Sequence, residues 1–220
     1  MNPRASDREP SYYESAYRDY EKQNPAKKLA HYTDVIEKRS PTTVPRVLDV
    51  GCGPGMFLHY LAQMRQQWVL TGVDFDSQGV ETARTLVPAA DVTLGQAGSL
   101  PFDDSRFDVI TAWDVLEHVE DLEEALSEIR RCLRSGGLFV MTTPVYDGLT
   151  GFVVRGLDRD PTHVHKQSRA FWLQVMSDQF SSVQWHGVFR ILIAPSVYIH
   201  KATQRLRSHA PAVLISGINR

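Results

Sequence analysis

The sequence is poor in cysteine and has no long apolar run. Cys52 and Cys132 are the only two cysteines among 220 residues, too few for a disulfide framework and not spaced as a metal-binding pair. We therefore expect reduced thiols, as in a cytoplasmic protein. The first ten residues are polar and contain no signal core. No stretch reaches the roughly 18 apolar residues of a spanning helix, so we expect no stable membrane insertion.

The sequence also lacks an excess of charge of one sign. It has 24 basic and 26 acidic residues, a formal net charge of -2. Nucleic-acid-binding surfaces usually require a strongly basic balance, so we expect no nucleic-acid partner. The length fits one domain with modest additions. Composition gives no indication of the oligomeric state.

Proline and glycine positions divide the chain into three predicted regions. Residues 1–40 are predicted to form a tyrosine-rich helical lid, with a break at Asn24-Pro25. Residues 41–195 form the main domain, and residues 196–220 are predicted to form a C-terminal helix and tail.

Within the main domain, apolar runs alternate with helical patterns, which favours an α/β fold with a mostly parallel sheet. The pattern predicts helices over residues 54–66, 77–86, 120–133 and 168–178. Residues 145–167 are predicted to be a long loop, a feature that is often functional in compact domains. The predicted strands are residues 46–50, 69–73, 92–94, 107–112, 138–142, 182–186 and 189–194.

A glycine-rich loop follows the first predicted strand, at Gly51, Gly53 and Gly55. Glycine is required where backbone takes positive φ or approaches a ligand closely. In open parallel sheets, ligands bind at the carboxyl ends of the strands, where this loop lies. A dinucleotide fingerprint would need glycine at position 56, which is Met56, so this pattern disfavours an NAD-dependent oxidoreductase.

Asp74 ends the second predicted strand, 19 residues after Gly55. A carboxylate at this position can accept hydrogen bonds from both hydroxyls of a ribose. The same role occurs in proteins that bind NAD and in proteins that bind S-adenosylmethionine (SAM). Asp74 alone therefore does not separate the two classes, and a plain turn residue is the structural alternative.

Together these motifs resemble the class I SAM-dependent methyltransferases, especially the small-molecule branch, with some similarity to ubiquinone-pathway O-methyltransferases. The resemblance covers roughly residues 45–145. It implies a Rossmann-like, doubly wound sheet of seven strands, mostly parallel with the last strand antiparallel, and SAM as cofactor. The segments that carry it are VLDVGCGPG at 47–55, Val73-Asp74, GQAGSLPFDDSRFDVI at 95–110, WDVLEHVED at 113–121 and GGLFVMTTP at 136–144.

The resemblance also implies roles for individual residues. Asp49 would lie near the methionine amino group of SAM, Asp74 would bind the ribose, and Ala97 would donate its backbone N–H to the adenine. The family often has aspartate before that alanine; here Gln96 offers a carbonyl oxygen instead. The other residues expected to contact the cofactor are Gly51, Cys52, Gly53, Gly55, Phe75, Trp113, Asp114 and His118.

The tyrosines of the N-terminal region could cover the cofactor. Aromatic rings attract cations such as the sulfonium of SAM, and Tyr13 and Tyr17 share one face of the predicted helix. The alternative is that this face only packs the helix on the domain.

Asp114, Glu117 and His118 fall on one face if their segment is helical. Two carboxylates and an imidazole could bind a divalent metal. The alternative is that His118 lines the cofactor pocket or packs, and this interpretation is preferred, with no metal expected.

His163 and His165 lie in the predicted loop after the fifth strand. An extended chain places both on one side, and an imidazole can take a proton from an acceptor hydroxyl. Both are therefore candidate catalytic residues. The alternative is that they only help to begin the helix that is predicted to be capped by Ser168.

The predicted function is methyl transfer from SAM to a small-molecule acceptor, most readily on oxygen. Transfer to nitrogen or carbon, or SAM binding without turnover, are the alternatives. Methyltransferases that act on nucleobase amines commonly have an (Asp/Asn)-Pro-Pro-aromatic motif after the fourth strand. The corresponding residues here are Ala112-Trp113-Asp114-Val115, which argues against that class.

Overall fold

The computed structural model describes residues 24–158, 160–194 and 197–220. Tyr13 and Tyr17, predicted to cover the cofactor, lie outside the described residues. The helices are α1 (Ala26–Arg39), α2 (Met56–Met64), α3 (Ser77–Leu86), α4 (Leu122–Cys132), α5 (Gly148–Leu157) and α6 (Arg169–Gln179). The strands are β1 (Arg46–Val50), β2 (Val69–Asp74), β3 (Asp91–Leu94), β4 (Phe107–Trp113), β5 (Leu133–Pro144), β6 (Ser181–Ala194), β7 (Val197–Thr203) and β8 (Ala212–Ile218).

The strands form a single sheet in the order β3-β2-β1-β4-β5-β8-β6-β7. Strands β1 to β5 pair in parallel, and β8 lies antiparallel between β5 and β6. The strand order reverses at β1 and β4, and in such sheets the crevice at this reversal is where ligands bind. The predicted Rossmann-like α/β fold is confirmed, although the sheet has eight strands where seven were predicted.

The predicted C-terminal helix is wrong. After Ala194 the described chain forms β7, which pairs with β6, and then β8, which inserts into the sheet. Residues 212–217 are all buried, as expected for a strand covered on both faces, whose sequence is an apolar run rather than an alternating pattern.

The two predicted strands over 182–194 are instead one long strand, β6. Gly187 lies in the gap between the two predicted strands. A Cβ at Gly187 would lie 2.5 Å from the Cα of Arg207, so this glycine allows another segment to pack closely against a continuous strand.

The predicted loop over 145–167 contains a helix, α5. The glycines of α5 make this helix hard to recognise in the sequence, because glycine weakens a helical pattern. Gly151 is needed there: a Cβ would lie 2.4 Å from the carbonyl carbon of Tyr146. The described part of the chain contains no helix that is long and apolar enough to cross a membrane.

Helix α1 begins directly after Asn24-Pro25, and the helix predicted before this point lies outside the described residues. Tyr32 and Ile36 of this helix are buried, and the His31 ring is hydrogen-bonded to His200 of β7 at 3.1 Å. Arg39 donates hydrogen bonds to Ser216 of β8 and Ser182 of β6. Helix α1 is thereby fixed against the sheet, beside the ends of the central strands.

Candidate functional site

The glycine loop leaves β1 in a conformation that only glycine adopts readily. Gly51, Gly53 and Gly55 all have positive φ, at 69°, 52° and 87°. A Cβ at Gly51 would also lie 2.4 Å from Cγ2 of Val115. The loop is held to the neighbouring strand because the backbone N–H groups of Gly51 and Cys52 donate to the carbonyl oxygen of Val73.

Asp74 is buried at the end of β2 and links this loop to the next helix. One carboxylate oxygen accepts from the N–H of Gly53 at 2.7 Å, and the other accepts from the N–H of Asp76 at 2.9 Å. Each carboxylate oxygen has a second lone pair. Asp74 can therefore hold the loop and also accept hydrogen bonds from a ligand.

Asp49, in β1, is also buried, and accepts a hydrogen bond from the hydroxyl of Thr111 at 2.7 Å. Burial, together with the nearby charge of Asp74, raises the pKa of Asp49 to about 7. A cationic ammonium group at this position would favour the ionised carboxylate.

A cavity of about 680 Å³ opens at the carboxyl ends of these strands. Gly53 and Gly55 shape the loop but do not line this cavity. His163 and His165 do not line it either. The predicted cofactor residues that line it are Asp49, Gly51, Cys52, Asp74, Phe75, Gln96, Ala97, Trp113, Asp114 and His118.

Three aromatic rings form one wall of the cavity. Tyr32 of α1 stacks on Trp113 of β4 with ring centroids 4.0 Å apart, and Phe57 meets the edge of Trp113 at 5.2 Å. The sequence prediction missed Tyr32 and Phe57. Tyr32 belongs to the same tyrosine-rich region, and its spacing from Leu29 and Ile36 on one face of α1 was the available signal.

The segment from Asp114 to His118 is not the helix on which the metal hypothesis depended. Asp114 has a φ of 57°, and a short 3₁₀ helix spans Leu116–His118. Asp114 instead accepts hydrogen bonds from the hydroxyl of Thr142 at 3.0 Å and from the guanidinium of Arg190. The structure thus places Asp114 in an ion pair.

Lys28 of α1 adds a second positive charge beside Asp114. Burial would raise the pKa of Asp114, but the charges of Arg190 and Lys28 outweigh it and hold that pKa well below its usual range. The pKa of Lys28 is lowered to about 8, mainly by burial, against the opposing effect of Asp114. Neither cation was predicted, because each comes from an element remote from the motifs.

His163 does not line the cavity but lies behind His118, which does. Its Nδ1 is 2.9 Å from a carboxylate oxygen of Asp158, and its ring centroid is 4.5 Å from that of His118, which lines the cavity. Burial would raise the pKa of Asp158, but hydrogen bonds from Tyr146, His163 and Lys166 hold it low. Asp158 is therefore ionised and orients the His163 ring.

His165 points elsewhere. Its Nε2 is 2.8 Å from the carbonyl oxygen of Val119, and its ring faces Trp172 with centroids 6.3 Å apart. The two histidines are therefore not side by side at one site. The predicted N-cap of the following helix is present, since the Ser168 hydroxyl accepts from the N–H of Phe171 at 3.2 Å.

The fold, the glycine loop and the strand-end acid together resemble those of the class I SAM-dependent methyltransferases. Residues 48–141 match the family model described as a methyltransferase domain. This part of the chain is similar to the methyltransferase domains of that class.

Individual relatives agree with the assignment. The chain is 32% identical over 143 residues to an uncharacterized methyltransferase, YcgJ, of Bacillus subtilis, covering 60% of this chain and 55% of the relative. It is 35% identical over 106 residues to a fatty-acid O-methyltransferase of Mycolicibacterium smegmatis, covering 46% and 39%. The chain thus spans about half or less of the length of these curated relatives.

A solved Thermotoga maritima structure, described as a SAM-dependent methyltransferase and possible histamine N-methyltransferase, superposes with a TM-score of 0.71 at 19% identity. The match covers 94% of this chain and 98% of that one, and it supports the fold.

The family and fold imply SAM as cofactor, and the described residues fit it. Asp74 offers acceptors for a ribose, the aromatic wall suits a sulfonium, and Asp49 suits an ammonium group. Gly51 lines the cavity, and a Cβ there would meet Val115, so the backbone of this residue faces the ligand space.

Proposed function

We propose that this protein transfers a methyl group from SAM to a hydroxyl or carboxylate oxygen of a small molecule. When bound, the cofactor supplies an electrophilic methyl group. Displacement at that methyl requires mainly that the acceptor be held in line, for which proximity contributes about 7–11 kcal/mol. The cavity of about 680 Å³ is large enough to accommodate a small acceptor beside the cofactor.

The observation that carries the choice of oxygen is the histidine pair beside the cavity. A hydroxyl acceptor must lose a proton, whereas an amine need only arrive neutral. Burial and the neighbouring His163 lower the pKa of His118, so His118 is neutral and able to accept a proton at neutral pH. His163 contacts His118 and is oriented by Asp158. We propose that His118 and His163 together receive the acceptor's proton.

The relatives give a second line of support. The Mycolicibacterium smegmatis relative is named as a fatty-acid O-methyltransferase, and the aromatic wall of this cavity suits an apolar acceptor. Fatty acids and phenols are therefore the first acceptors to test.

Incubation with methyl-labelled SAM and matched panels of phenols, fatty acids and small amines tests the proposal. We expect labelled methyl ethers or methyl esters, identified by mass spectrometry. Wild-type protein and the Asp74→Asn variant are compared, to exclude a contaminating activity. Labelled amines without labelled ethers or esters would contradict transfer to oxygen, and binding of SAM without any product would contradict turnover.

Replacing His163 with alanine is expected to lower kcat for a hydroxyl acceptor by about 10²- to 10⁴-fold, the usual contribution of a general base. The rate of the variant should recover as pH approaches the pKa of the acceptor hydroxyl, because less of the acceptor then needs a base. His165→Ala is the matched control and should lose less than tenfold. An equal loss in both variants, or unchanged affinity with normal turnover in His163→Ala, would refute the assignment.

A further inference from the structure

Glu117, His118 and His163 form a cluster whose ligand atoms all lie within 4.8 Å of one another; we call it the Glu117 cluster. It differs from the set suggested by the sequence, because Asp114 is paired with Arg190 and His163 takes its place. His118 lines the cavity, so the cluster borders that cavity.

Glu117 is the unusual member of this cluster. Its side chain is fully buried, and neither carboxylate oxygen has a hydrogen-bond partner among the described residues. Burial and the nearby charge of Asp114 raise the pKa of Glu117 well above its usual value, because an isolated buried charge is costly. Buried carboxylates that stay ionised are normally paired, hydrogen-bonded or bound to a metal. Two imidazole rings beside these oxygens supply the remaining donors of a metal site.

Both imidazoles are oriented by a partner at Nδ1. Nδ1 of His118 lies 2.8 Å from the hydroxyl of Thr162, and that hydroxyl donates to Asp160 and so accepts from the ring. Nδ1 of His163 lies 2.9 Å from Asp158. A proton on each Nδ1 leaves the ring lone pair on Nε2. Ligands in metal sites are commonly fixed by such outer hydrogen bonds.

The backbone also holds the cluster together. The N–H groups of Val164 and His165 both donate to the carbonyl oxygen of Glu117 at 3.0 Å. The segment that carries His163 is thereby fastened to the segment that carries Glu117 and His118. Ligand atoms around tetrahedral zinc lie about 3.3–3.6 Å apart, so a contraction of at most about 1.5 Å, within reach of side-chain rotation, would close the site.

We propose that the Glu117 cluster binds one divalent transition-metal ion of the zinc type, through one carboxylate and two imidazoles. Two histidines and one glutamate are a donor set that zinc uses where a fourth position stays open. The proposal concerns ion binding and does not rest on the proposed methyl transfer. A bound ion would occupy the Nε2 lone pairs of His118 and His163, so zinc is expected to inhibit a transfer that uses these imidazoles as base.

Calorimetric titration of zinc into the untagged, metal-stripped full-length chain tests the proposal. We expect one stoichiometric site in the wild-type protein. Glu117→Gln, which preserves shape and burial, and His163→Ala should each weaken zinc binding by at least tenfold. Circular dichroism and S-adenosylhomocysteine affinity show whether these variants remain folded.

Two controls locate the site. His209→Ala removes an exposed histidine and should leave zinc binding unchanged. His31→Ala removes one member of the other histidine pair, His31 with His200, and should also leave it unchanged. Zinc binding that persists in Glu117→Gln, that disappears in His31→Ala, or that is absent from the wild-type protein would overturn the proposal.

Discussion

Asp74→Asn is expected to weaken binding of S-adenosylhomocysteine by about 100-fold, which corresponds to about 2.7 kcal/mol. The carboxylate accepts from the N–H groups of Gly53 and Asp76 through separate oxygens. Asparagine offers only one oxygen, so one of these donors loses its partner. The charge-assisted bonds available to ribose hydroxyls, each worth about 1.5–3 kcal/mol, are lost as well. Isothermal calorimetry measures the change directly.

Asp76→Asn is the matched control for this experiment. Asp76 caps α3 by accepting from the N–H of Gly79 at 3.2 Å, and asparagine is an equally good cap. Its side chain does not line the cavity, so cofactor affinity should stay within about threefold of wild type, a difference of less than 0.7 kcal/mol. If Asp74→Asn binds as well as Asp76→Asn does, Asp74 does not hold the ribose.

Asp114→Ala is expected to lower the free energy of unfolding by about 3 kcal/mol, since removing one partner of a buried ion pair leaves the other charge uncompensated. Here two cations, Arg190 and Lys28, face the lost carboxylate. Urea unfolding in the absence of cofactor measures the loss without a contribution from ligand binding.

The loss of unfolding free energy in Asp114→Ala should also depend on pH in a defined direction. The folded-state pKa of Asp114 lies below its usual value, so its charge contributes stability above the unfolded pKa of about 3.9. That contribution is lost as pH falls through the folded pKa, and the difference between wild type and variant should shrink in acid.

Asp34→Ala is the control for charge removal at the surface. Asp34 pairs with Lys38 at 3.9 Å with both side chains largely exposed, and such pairs contribute at most about 1 kcal/mol. A loss in Asp114→Ala no greater than that in Asp34→Ala would show that the pairing of Asp114 with Arg190 and Lys28 does not stabilise the fold.

The parts of the site that follow directly from strands could be predicted from the sequence. Asp49, Gly51 and Asp74 lie within or just after β1 and β2, and parallel strands bring their carboxyl ends to one edge. Local spacing therefore predicts their proximity. The resemblance to methyltransferases identified Trp113, the last residue of β4, and His118, and both line the cavity.

The remaining site residues depend on contacts between distant segments. Lys28 comes from α1 and Arg190 from β6, 162 positions apart in the sequence, and both meet Asp114. His163 approaches Glu117 because two backbone N–H groups bind one carbonyl oxygen. Neither arrangement has a periodic or spacing signal.

The wrong prediction of a C-terminal helix has a related physical cause. An apolar run such as residues 212–218 fits a buried strand or a helix equally well when taken alone. The segment is a strand because it pairs with both β5 and β6, and those partners lie far away in the sequence.

The position of β8 affects the order in which the sheet can be completed. Residues 212–218 are synthesised after β6 and β7, yet β8 lies between β5 and β6. During translation, β5 therefore keeps an unpaired apolar edge until those residues leave the ribosome. Non-local pairing of this kind slows folding and exposes strand edges to aggregation. We expect the nascent chain to be most prone to aggregation through this edge in that interval, after β1 to β5 have already been made.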